Sequence, residues 1–304
     1  MTNNKIYYWT CDKSENSGEG QLALFYIKNL KKKFKVNEIK KPKFDNKLLN
    51  KIINYKYIVP FFGILFCWKY YLNRKKVCYI NFLPLWNFLI FLLLPPNSNI
   101  GPITGGSKFL NNSSIIRKFL FPLFYKISEK ILIYRNFSLL FSTDLLKKYL
   151  NDQTIKRSTF NFIIKNFDYK NKRVKIKDID FLIYYRNHHN KKKFFPFELI
   201  YKLIEEGFNV NIVGDKLDIP GIKNYGSLNN DKLKKLQRRA KFTIFSGENL
   251  YSIFVLECIS NNVLVLVNKD YKYKLTFFKK RFIKLDFNNL KELRKLNYLY
   301  KNNK

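Results

Sequence analysis

Short apolar segments of strand length alternate with helix-length segments in the first half of the chain. Apolar runs of four to six residues predict strands, and longer runs with helical periodicity predict helices. The predicted strands are residues 5–9, 77–80, 100–104 and 138–142, and the predicted helices are 21–33, 82–94, 115–132 and 143–149. Strands separated by helices of this length predict parallel sheets with right-handed crossovers.

The same alternation restarts after a basic and polar stretch at residues 165–177. The second half predicts strands at 181–185, 209–213, 242–245 and 264–267, and helices at 195–206, 230–240 and 253–260. A short segment, residues 222–225, ends at Gly226. The polar break predicts two domains, residues 1–170 and 171–304. We therefore expect an α/β protein with two doubly wound, Rossmann-like domains that face each other across a cleft.

Two apolar runs, residues 57–68 and 82–94, raise the question of membrane insertion. A spanning helix needs about 20 apolar residues, and both runs are shorter. A helix buried between two layers is one interpretation. A helix at a membrane interface is the other, because Trp68 to Tyr71 suit a headgroup boundary. We expect a protein that does not cross a membrane but can contact one peripherally.

The composition supports folded domains with a large core. Hydrophobic residues make up 46% of the 304 residues and aromatic residues 18%, which excludes disorder for most of the chain. The 58 Lys and Arg against 22 Asp and Glu give a net charge of +36. This charge has two interpretations. Lysine is encoded by A/T-rich codons, so a low-GC genome could supply lysines spread over the whole surface. Alternatively, the lysines form a basic face that attracts an anionic partner. No nucleic-acid-binding module is recognisable, so no nucleic acid is expected.

The cysteines and histidines limit the metal sites that the protein can form and indicate its cellular compartment. The four cysteines are far apart and His188 and His189 are the only histidines, which argues against a disulfide scaffold and a multi-histidine metal site. Residues 1–12 lack the pattern of a secretory signal. We expect a cytoplasmic protein that needs neither a metal nor another cofactor.

Candidate functional residues follow the predicted strands, where ligands bind in such folds. Gly18, Glu19 and Gly20 follow the first strand and suit either a phosphate-binding loop or a plain tight turn. Gly214 and the Tyr225-Gly226 pair follow strands of the second half. They can frame a nucleotide base or serve as turn residues.

Two cations follow the strand 181–185. Arg186 and Lys191 can neutralise a diphosphate leaving group. The alternative is ordinary surface charge, which is the stronger interpretation for Lys191 because lysine is abundant in this chain.

The segment 246–258 joins a strand to a helix that opens near Ser252. Free N–H groups at Ser252 and Ile253 would point at an anion. Glu257 lies in an apolar run, where a carboxylate needs partners such as ribose hydroxyls or a local salt bridge. By contrast, Asp178-Ile-Asp180 matches a metal-binding DxD motif but precedes its strand, so we interpret it as a chance match.

Together these segments resemble the retaining, two-Rossmann (GT-B) glycosyltransferases of the large family 4. The resemblance covers most of the chain and is strongest over 180–268. Arg186 followed by Lys191 is similar to the family's Arg-x4-Lys, and Glu257 matches the second Glu of its E-x7-E segment. Glu248 lies one position further from Glu257 than the motif expects, and Asn249 occupies the expected place.

The resemblance implies an enzyme that transfers a sugar from a nucleotide-diphosphate donor, with retention at the anomeric carbon and without a metal. Arg186 and Lys191 would bind the diphosphate, Glu248 or Asn249 would face the sugar, and Glu257 would hold the ribose. The acceptor, a glycan or lipid-linked molecule of bacterial surface polysaccharide synthesis, would bind residues 1–170, and residues 171–304 would bind the donor. The alternative function is a non-enzymatic basic protein that binds nucleic acid or anionic lipid.

Overall fold

The chain divides into two units, residues 1–166 and 167–304. A computed structural model describes residues 5–15, 17–40, 55–81, 83–105, 119–167, 169, 177–188, 192, 195–246, 249–271 and 275–302, without the side chains of 55–58 and 302. Each unit is described separately.

The first unit is built on parallel strands. These are β1 Lys5–Thr10, β2 Lys35–Glu38, β3 Lys76–Ile80, β4 Leu83–Pro84, β5 Asn99–Ile100 and β6 Ile103–Thr104. Four of them form one sheet in the order β2-β1-β3-β5, and β4 pairs with β6. Ile6 of β1 pairs with Val36 on one side and with Lys76 on the other. Because all of these pairs are parallel, the chain returns between strands through crossover segments.

Helices cover both faces of this sheet. They are α1 Gly18–Lys31, α2 Tyr55–Leu72, α3 Phe88–Leu93, α4 Phe121–Tyr134 and α5 Asp152–Arg157. Alternate side chains of β1 point to opposite faces, so Ile6 shares a core cluster with Ile27 of α1, whereas Trp9 shares one with Ile64 of α2. Gly63 permits this packing of α2, because a Cβ atom there would lie 2.2 Å from Nε1 of Trp9.

The second unit contains a six-stranded parallel sheet. Its strands are β7 Ile179–Tyr185, β8 Val210–Gly214, β9 Lys223–Asn224, β10 Ala240–Ile244, β11 Leu264–Asn268 and β12 Phe282–Leu285. Their order is β12-β11-β10-β7-β8-β9. The first strand of the unit is therefore central, the next two lie on one side and the last three on the other. This is the strand order of a Rossmann fold.

Helices again cover both faces of the second sheet. They are α6 Phe197–Glu205, α7 Asn230–Arg239, α8 Ile253–Ser260, α9 Leu290–Arg294 and α10 Leu296–Asn302. Phe181 and Ile183 share a core cluster with Leu199 of α6. Leu182, which points to the opposite face, shares a second cluster with Leu236 of α7. The predicted α/β fold with two doubly wound, Rossmann-like units is confirmed.

The predicted helix over 82–94 is wrong in its first half. The helix covers only Phe88–Leu93, and β4 precedes it. Pro84 lies in β4, and its ring fixes the backbone and disfavours a helical conformation for the preceding residue. The predicted strand 100–104 is likewise two short strands, β5 and β6, that are separated by Gly101 and Pro102.

The segment 138–149 also differs from the prediction. The expected strand 138–142 contributes only isolated bridges, between Ile103 and Phe141 and between Leu140 and Thr159. The expected helix 143–149 is a single 3₁₀ turn at Lys147–Tyr149. Backbone hydrogen bonds to and from Ser142 hold the chain against Ile103 and Ile163 at this point, so Thr143 does not begin an α-helix. A helix was predicted over 115–132, and the structure has one over Phe121–Tyr134. Residues 115–118 of the predicted helix lie outside the described residues.

Candidate functional site

The candidate donor site lies at the carboxyl edge of the second unit's sheet. The strand order reverses between β7 and β10, which pair with each other. Chains that leave adjacent strands in opposite directions create a crevice at such a switch point. β7 leads into Arg186, and β10 leads into Phe245 and the start of α8. Two of the sequence-predicted segments are therefore neighbours in the fold.

Arg186 follows β7 directly and its side chain is exposed. Its guanidinium forms no hydrogen bond or ion pair with the described part of the chain, whereas its backbone carbonyl accepts a hydrogen bond from His188 N at 2.8 Å. The backbone beside it is held in place, because Asn187 N donates to Oδ2 of Asp215 at 2.6 Å and Asp215 N donates to the carbonyl of Tyr185 at 3.0 Å. An unpaired guanidinium on an anchored loop can bind an anion with five N–H donors.

Asp215 was not predicted from the sequence, although it ties the loops after β7 and β8 together. An acidic residue directly after a strand and glycine is the signal that could have identified it. Lys191 and Glu248, the other predicted catalytic residues, lie outside the described residues. Their roles stay predictions.

The beginning of α8 presents free backbone donors. Ser252 is the N-cap, and its Oγ accepts a hydrogen bond from Val255 N at 3.4 Å. The N–H groups of Ile253 and Phe254 have no acceptor within the described ranges, as is usual for the first turn of a helix. These donors and the positive end of the helix dipole favour an anion at this position.

The loop before α8 is anchored by Asn249, which the sequence singled out, and by Tyr251, which it did not. Asn249 Oδ1 accepts a hydrogen bond from Tyr251 N at 3.1 Å, which bends the loop. The buried Tyr251 hydroxyl accepts hydrogen bonds from Thr276 N and Phe277 N at 3.2 and 2.8 Å. The Tyr251 hydroxyl thereby fixes the loop to the segment before β12. The side-chain carbonyl oxygen of Asn249 is engaged by the backbone N–H of Tyr251.

Gly214 is required by the crowded end of β8. Its φ is +103°, and a Cβ atom there would lie 2.3 Å from the carbonyl oxygen of Tyr185. Its N–H donates to the carbonyl of Gly226 at 3.0 Å. Close packing of the two strand ends thus suffices to explain this glycine, with or without a ligand.

The ring of Tyr184 lies beside Gly214, where a Cβ atom would be 3.0 Å from the ring. The ring of Tyr184, 40% exposed, stacks on Phe254 of α8 with centroids 5.4 Å apart. This contact holds the end of β7 against the first turn of α8. Tyr225 is half-buried and, like Phe254, packs against the core cluster that contains Leu182 and Leu236. The Lys223 ammonium lies 5.2 Å from the ring centroid of Tyr225. Neither Tyr184 nor Phe254 was predicted; a partly exposed aromatic at the end of a central strand was the available signal.

Glu257 is buried, and its partners differ from the local salt bridge considered above. Gln237 Nε2 donates to Oε2 of Glu257 at 3.1 Å, and Asn261 Nδ2 donates to Oε1 of Gln237 at 3.2 Å. Burial raises the pKa of the Glu257 carboxyl, and the hydrogen bond from Gln237 only partly offsets this effect. Oε1 of Glu257 accepts no hydrogen bond from the described residues, so it retains capacity to accept one from a ligand.

Gly18, Glu19 and Gly20 were expected in a loop but form the first turn of α1 in the first unit. Ser17 is the N-cap, and its Oγ accepts from Gly20 N at 2.8 Å. Gly20 is packed against the preceding loop, because a Cβ atom would lie 2.2 Å from the carbonyl oxygen of Ser14.

A carboxylate that the sequence did not single out lies at the same helix start. Asp12 accepts hydrogen bonds from Ser14 N at 2.7 Å and from the Ser17 hydroxyl. The beginning of α1 is therefore already partnered by an acidic side chain, unlike the beginning of α8.

The Asp178-Ile-Asp180 sequence lies at the opposite, amino end of β7. Asp178 forms an ion pair with Arg239, and Asp180 accepts from Lys241 Nζ at 2.7 Å. The Arg239 guanidinium lowers the pKa of Asp178. Both carboxylates are thus engaged at the sheet edge away from the switch point.

No family model matches the sequence, and no curated protein matches it. Several solved structures resemble the fold of this chain. A glycosyltransferase from Rickettsia africae aligns over 99% of this chain and 89% of its own, with a TM-score of 0.51 and 15% identity. A DNA-modifying β-glucosyltransferase, whose substrate is uridine diphosphoglucose, aligns over 97% and 88%, with a TM-score of 0.50 and 12% identity. The chain therefore has the GT-B fold of glycosyltransferases built from two Rossmann-like domains.

Proposed function

We propose that this protein is a glycosyltransferase that takes a sugar from a nucleotide-diphosphate donor. The observation that carries the proposal is the switch point of the second unit. There the Arg186 guanidinium follows β7 and the N–H groups of Ile253 and Phe254 follow β10, and none of these groups has a partner among the described residues. Two adjacent strands thus lead into separate groups that attract an anion. The fold shared with solved glycosyltransferases supports the same assignment.

The chemistry of transfer requires stabilisation of the charge that develops on the departing nucleoside diphosphate. Arg186, together with Lys191, supplies cations, and the beginning of α8 supplies backbone donors. These groups need no metal ion to neutralise a diphosphate. Glu257 accepts hydrogen bonds from the ribose through its available Oε1 atom, and Glu248 faces the transferred sugar, with Asn249 as the alternative residue.

The two units take different substrates in this proposal. The second unit binds the donor, with Gly214 and Tyr225 beside the base. The first unit binds a glycan or lipid-linked acceptor, and the resemblance assigns Gly18, Glu19 and Gly20 a role in binding phosphate. Retention of the anomeric configuration, and a role in bacterial surface polysaccharide synthesis in the cytoplasm, rest on the resemblance of residues 180–268 and on the sequence composition. The anomeric configuration of the product, measured by NMR, tests retention directly.

Thermal unfolding with a panel of nucleotides tests the proposal. UDP, GDP, ADP and CDP are each added in the presence of EDTA, and a ligand of the native state raises the unfolding temperature. We expect one diphosphate to stabilise the protein and its nucleoside to have a much weaker effect. Arg186→Ala should abolish the stabilisation, whereas Arg238→Ala, which removes an exposed arginine of α7, should leave it intact.

The outcomes distinguish sugar transfer from the alternative function. Stabilisation by long oligonucleotides or anionic lipid, with no response to any nucleoside diphosphate, would favour the non-enzymatic binding protein. Stabilisation that appears only with added manganese, and disappears in Asp178→Ala, would instead restore the metal-binding interpretation of the Asp178-Ile-Asp180 sequence.

A further inference from the structure

Exposed large apolar side chains are concentrated on three helices of the first unit. Nine such residues, each at least 41% exposed, lie on α2, on α3, and on the first turn of α4 or the two residues before it: Phe61, Leu65, Leu72, Leu89, Leu92, Leu93, Phe119, Leu120 and Leu123. We call these nine residues the apolar face. In the described part of the second unit the exposed large apolar residues are three tyrosines and one leucine. A concentration of this kind is unusual for a surface in contact with water alone.

The spacing of these residues follows helix geometry. Phe61, Leu65 and Leu72 recur along one side of α2, and Leu89, Leu92 and Leu93 share one side of α3. On each of these two helices the exposed apolar residues lie opposite the buried side, so they form a continuous apolar stripe.

The three helices are also in contact. Nε1 of Trp68 on α2 donates to the carbonyl of Leu93 at 2.7 Å. The rings of Phe88 on α3 and Phe124 on α4 lie 5.3 Å apart. The apolar face is therefore carried by neighbouring helices of a single unit.

The exposed charged side chains described on these helices are all positive. Lys69, Lys126 and Lys130 are exposed. The only acidic residue in the helices, Glu129, is buried and accepts a hydrogen bond from Asn151 N at 2.8 Å. The turn that follows α2 adds exposed Arg74. An apolar surface with exclusively positive exposed charges is complementary to a layer of anionic headgroups above hydrocarbon.

We propose that the apolar face docks on an anionic lipid membrane. A second copy of this chain is a poorer occupant, because two such faces would bring the lysines of both copies together. Trp68 suits the headgroup region, where amphipathic rings are enriched. None of the described helices is long and apolar enough to cross a membrane. The proposal therefore concerns docking of their exposed side chains on the surface of a bilayer. Docking of the apolar face on a membrane does not depend on whether the protein transfers a sugar.

Flotation with lipid vesicles tests the proposal. The full chain is mixed with vesicles of phosphatidylcholine alone or of phosphatidylcholine with phosphatidylglycerol. We expect binding to the mixed vesicles, and a decrease in that binding as salt is raised. The double variant Leu65→Glu, Leu92→Glu should reduce the binding at least about tenfold, because two apolar contacts are replaced by charges that anionic lipid repels. Lys126→Gln and Lys130→Gln should each weaken it about fivefold.

Tyr298→Glu is the matched control, since Tyr298 is 66% exposed on α10 of the second unit. It introduces a glutamate at an exposed apolar side chain outside the apolar face and should bind as the unchanged protein does. All altered positions are exposed, so the thermal unfolding temperatures of the variants should agree and exclude misfolding.

Three results would overturn the proposal. One is the absence of binding to both vesicle types, and another is equal binding by the double variant and Tyr298→Glu. The third is a wild-type dimer, seen in sedimentation, that the double variant dissociates while vesicle binding is unchanged; that result would assign the face to a second copy.

Discussion

Gln237 of α7 donates a hydrogen bond of 3.1 Å to the buried carboxylate of Glu257 on α8. The two residues are 20 positions apart, and Asn261 extends the contact by donating to Gln237 at 3.2 Å. One oxygen of Glu257 is therefore occupied by the protein. The other oxygen is the one that our proposal assigns to the ribose.

The first prediction concerns nucleotide affinity. Glu257→Ala should weaken binding of the preferred nucleoside diphosphate by about 1.5–3 kcal/mol, roughly ten- to a hundredfold, because charge-assisted hydrogen bonds to the ribose are lost. Glu257→Gln keeps the shape and an acceptor, so its effect should be smaller. Calorimetry measures both, and Glu205→Ala, an exposed carboxylate of α6, is the control. Normal affinity in a folded Glu257→Ala protein would leave Glu257 a structural residue.

The second prediction is a pH dependence of stability at the same residue. Burial raises the pKa of Glu257 above its ordinary value of 4.5, so folding favours the protonated form. The native state is thus stabilised by this group below about pH 4.5 and loses that contribution as the pH rises through the raised pKa. Glu257→Gln removes the charge, and should be more stable than the unchanged protein at neutral pH but not at low pH.

Thermal unfolding of the two proteins without ligand, between acid and neutral pH, measures this difference. The gap in unfolding temperature should grow as the pH rises and then become constant. A gap that is independent of pH would contradict the assignment of a raised pKa to Glu257.

How much could be read from the sequence depended on the range of the interactions. The strands and helices between 181 and 267 were predicted correctly, because their periodicity and the glycines that end them are local signals. Glu257 was recognised as a carboxylate that needs a partner, but the partner was not, since Gln237 belongs to another helix. Likewise, the position of Asp215 after a strand and a glycine could mark it as a candidate residue, but it does not indicate that Asp215 contacts the loop after β7.

The errors have local physical causes as well. Gly18 and Gly20 were placed in a loop because glycines disfavour helices, yet Ser17 caps a helix that begins at Gly18. The strand Lys35–Glu38 carries two charged residues and no buried one, so its sequence lacks the alternation that identifies strands. It is held by pairing with β1.

The third prediction concerns Arg186. Arg186→Ala should lower turnover about 10²- to 10³-fold with little change in unfolding temperature, because one preorganised stabiliser of the leaving group is lost. Lys191→Ala should also be severe, unless the neighbouring Lys192 substitutes for it. Arg238→Ala, at the amino end of the sheet, should be as active as the unchanged protein. Wild-type rates in folded Arg186→Ala would remove this residue from the site.

The fourth prediction tests the packing of Gly214. Gly214→Ala should lower the free energy of unfolding by about 2–4 kcal/mol, because the positive φ is strained and the new Cβ collides with the Tyr185 carbonyl. Gly207→Ala is the matched comparison: its φ is +77°, but no heavy atom lies within 4 Å of the new Cβ. That variant should lose only about 1 kcal/mol. Urea denaturation measures both free energies of unfolding. Equal losses in the two variants would show that the contact with the Tyr185 carbonyl does not affect stability.

The last prediction separates Glu248 from Asn249 as the residue that faces the sugar. The carbonyl oxygen of Asn249 accepts a hydrogen bond from Tyr251 N at 3.1 Å, and this contact favours a role in bending the loop. We therefore expect Glu248→Ala to lose most turnover while it binds the free nucleoside diphosphate normally, since the sugar is absent from that ligand. Asn249→Asp retains the acceptor for Tyr251 N and should keep most activity. Asn249→Ala should lower the unfolding temperature more than it lowers turnover at saturating donor. Loss of turnover in a stable Asn249→Asp protein, together with an active Glu248→Ala protein, would assign the sugar-facing role to Asn249 instead.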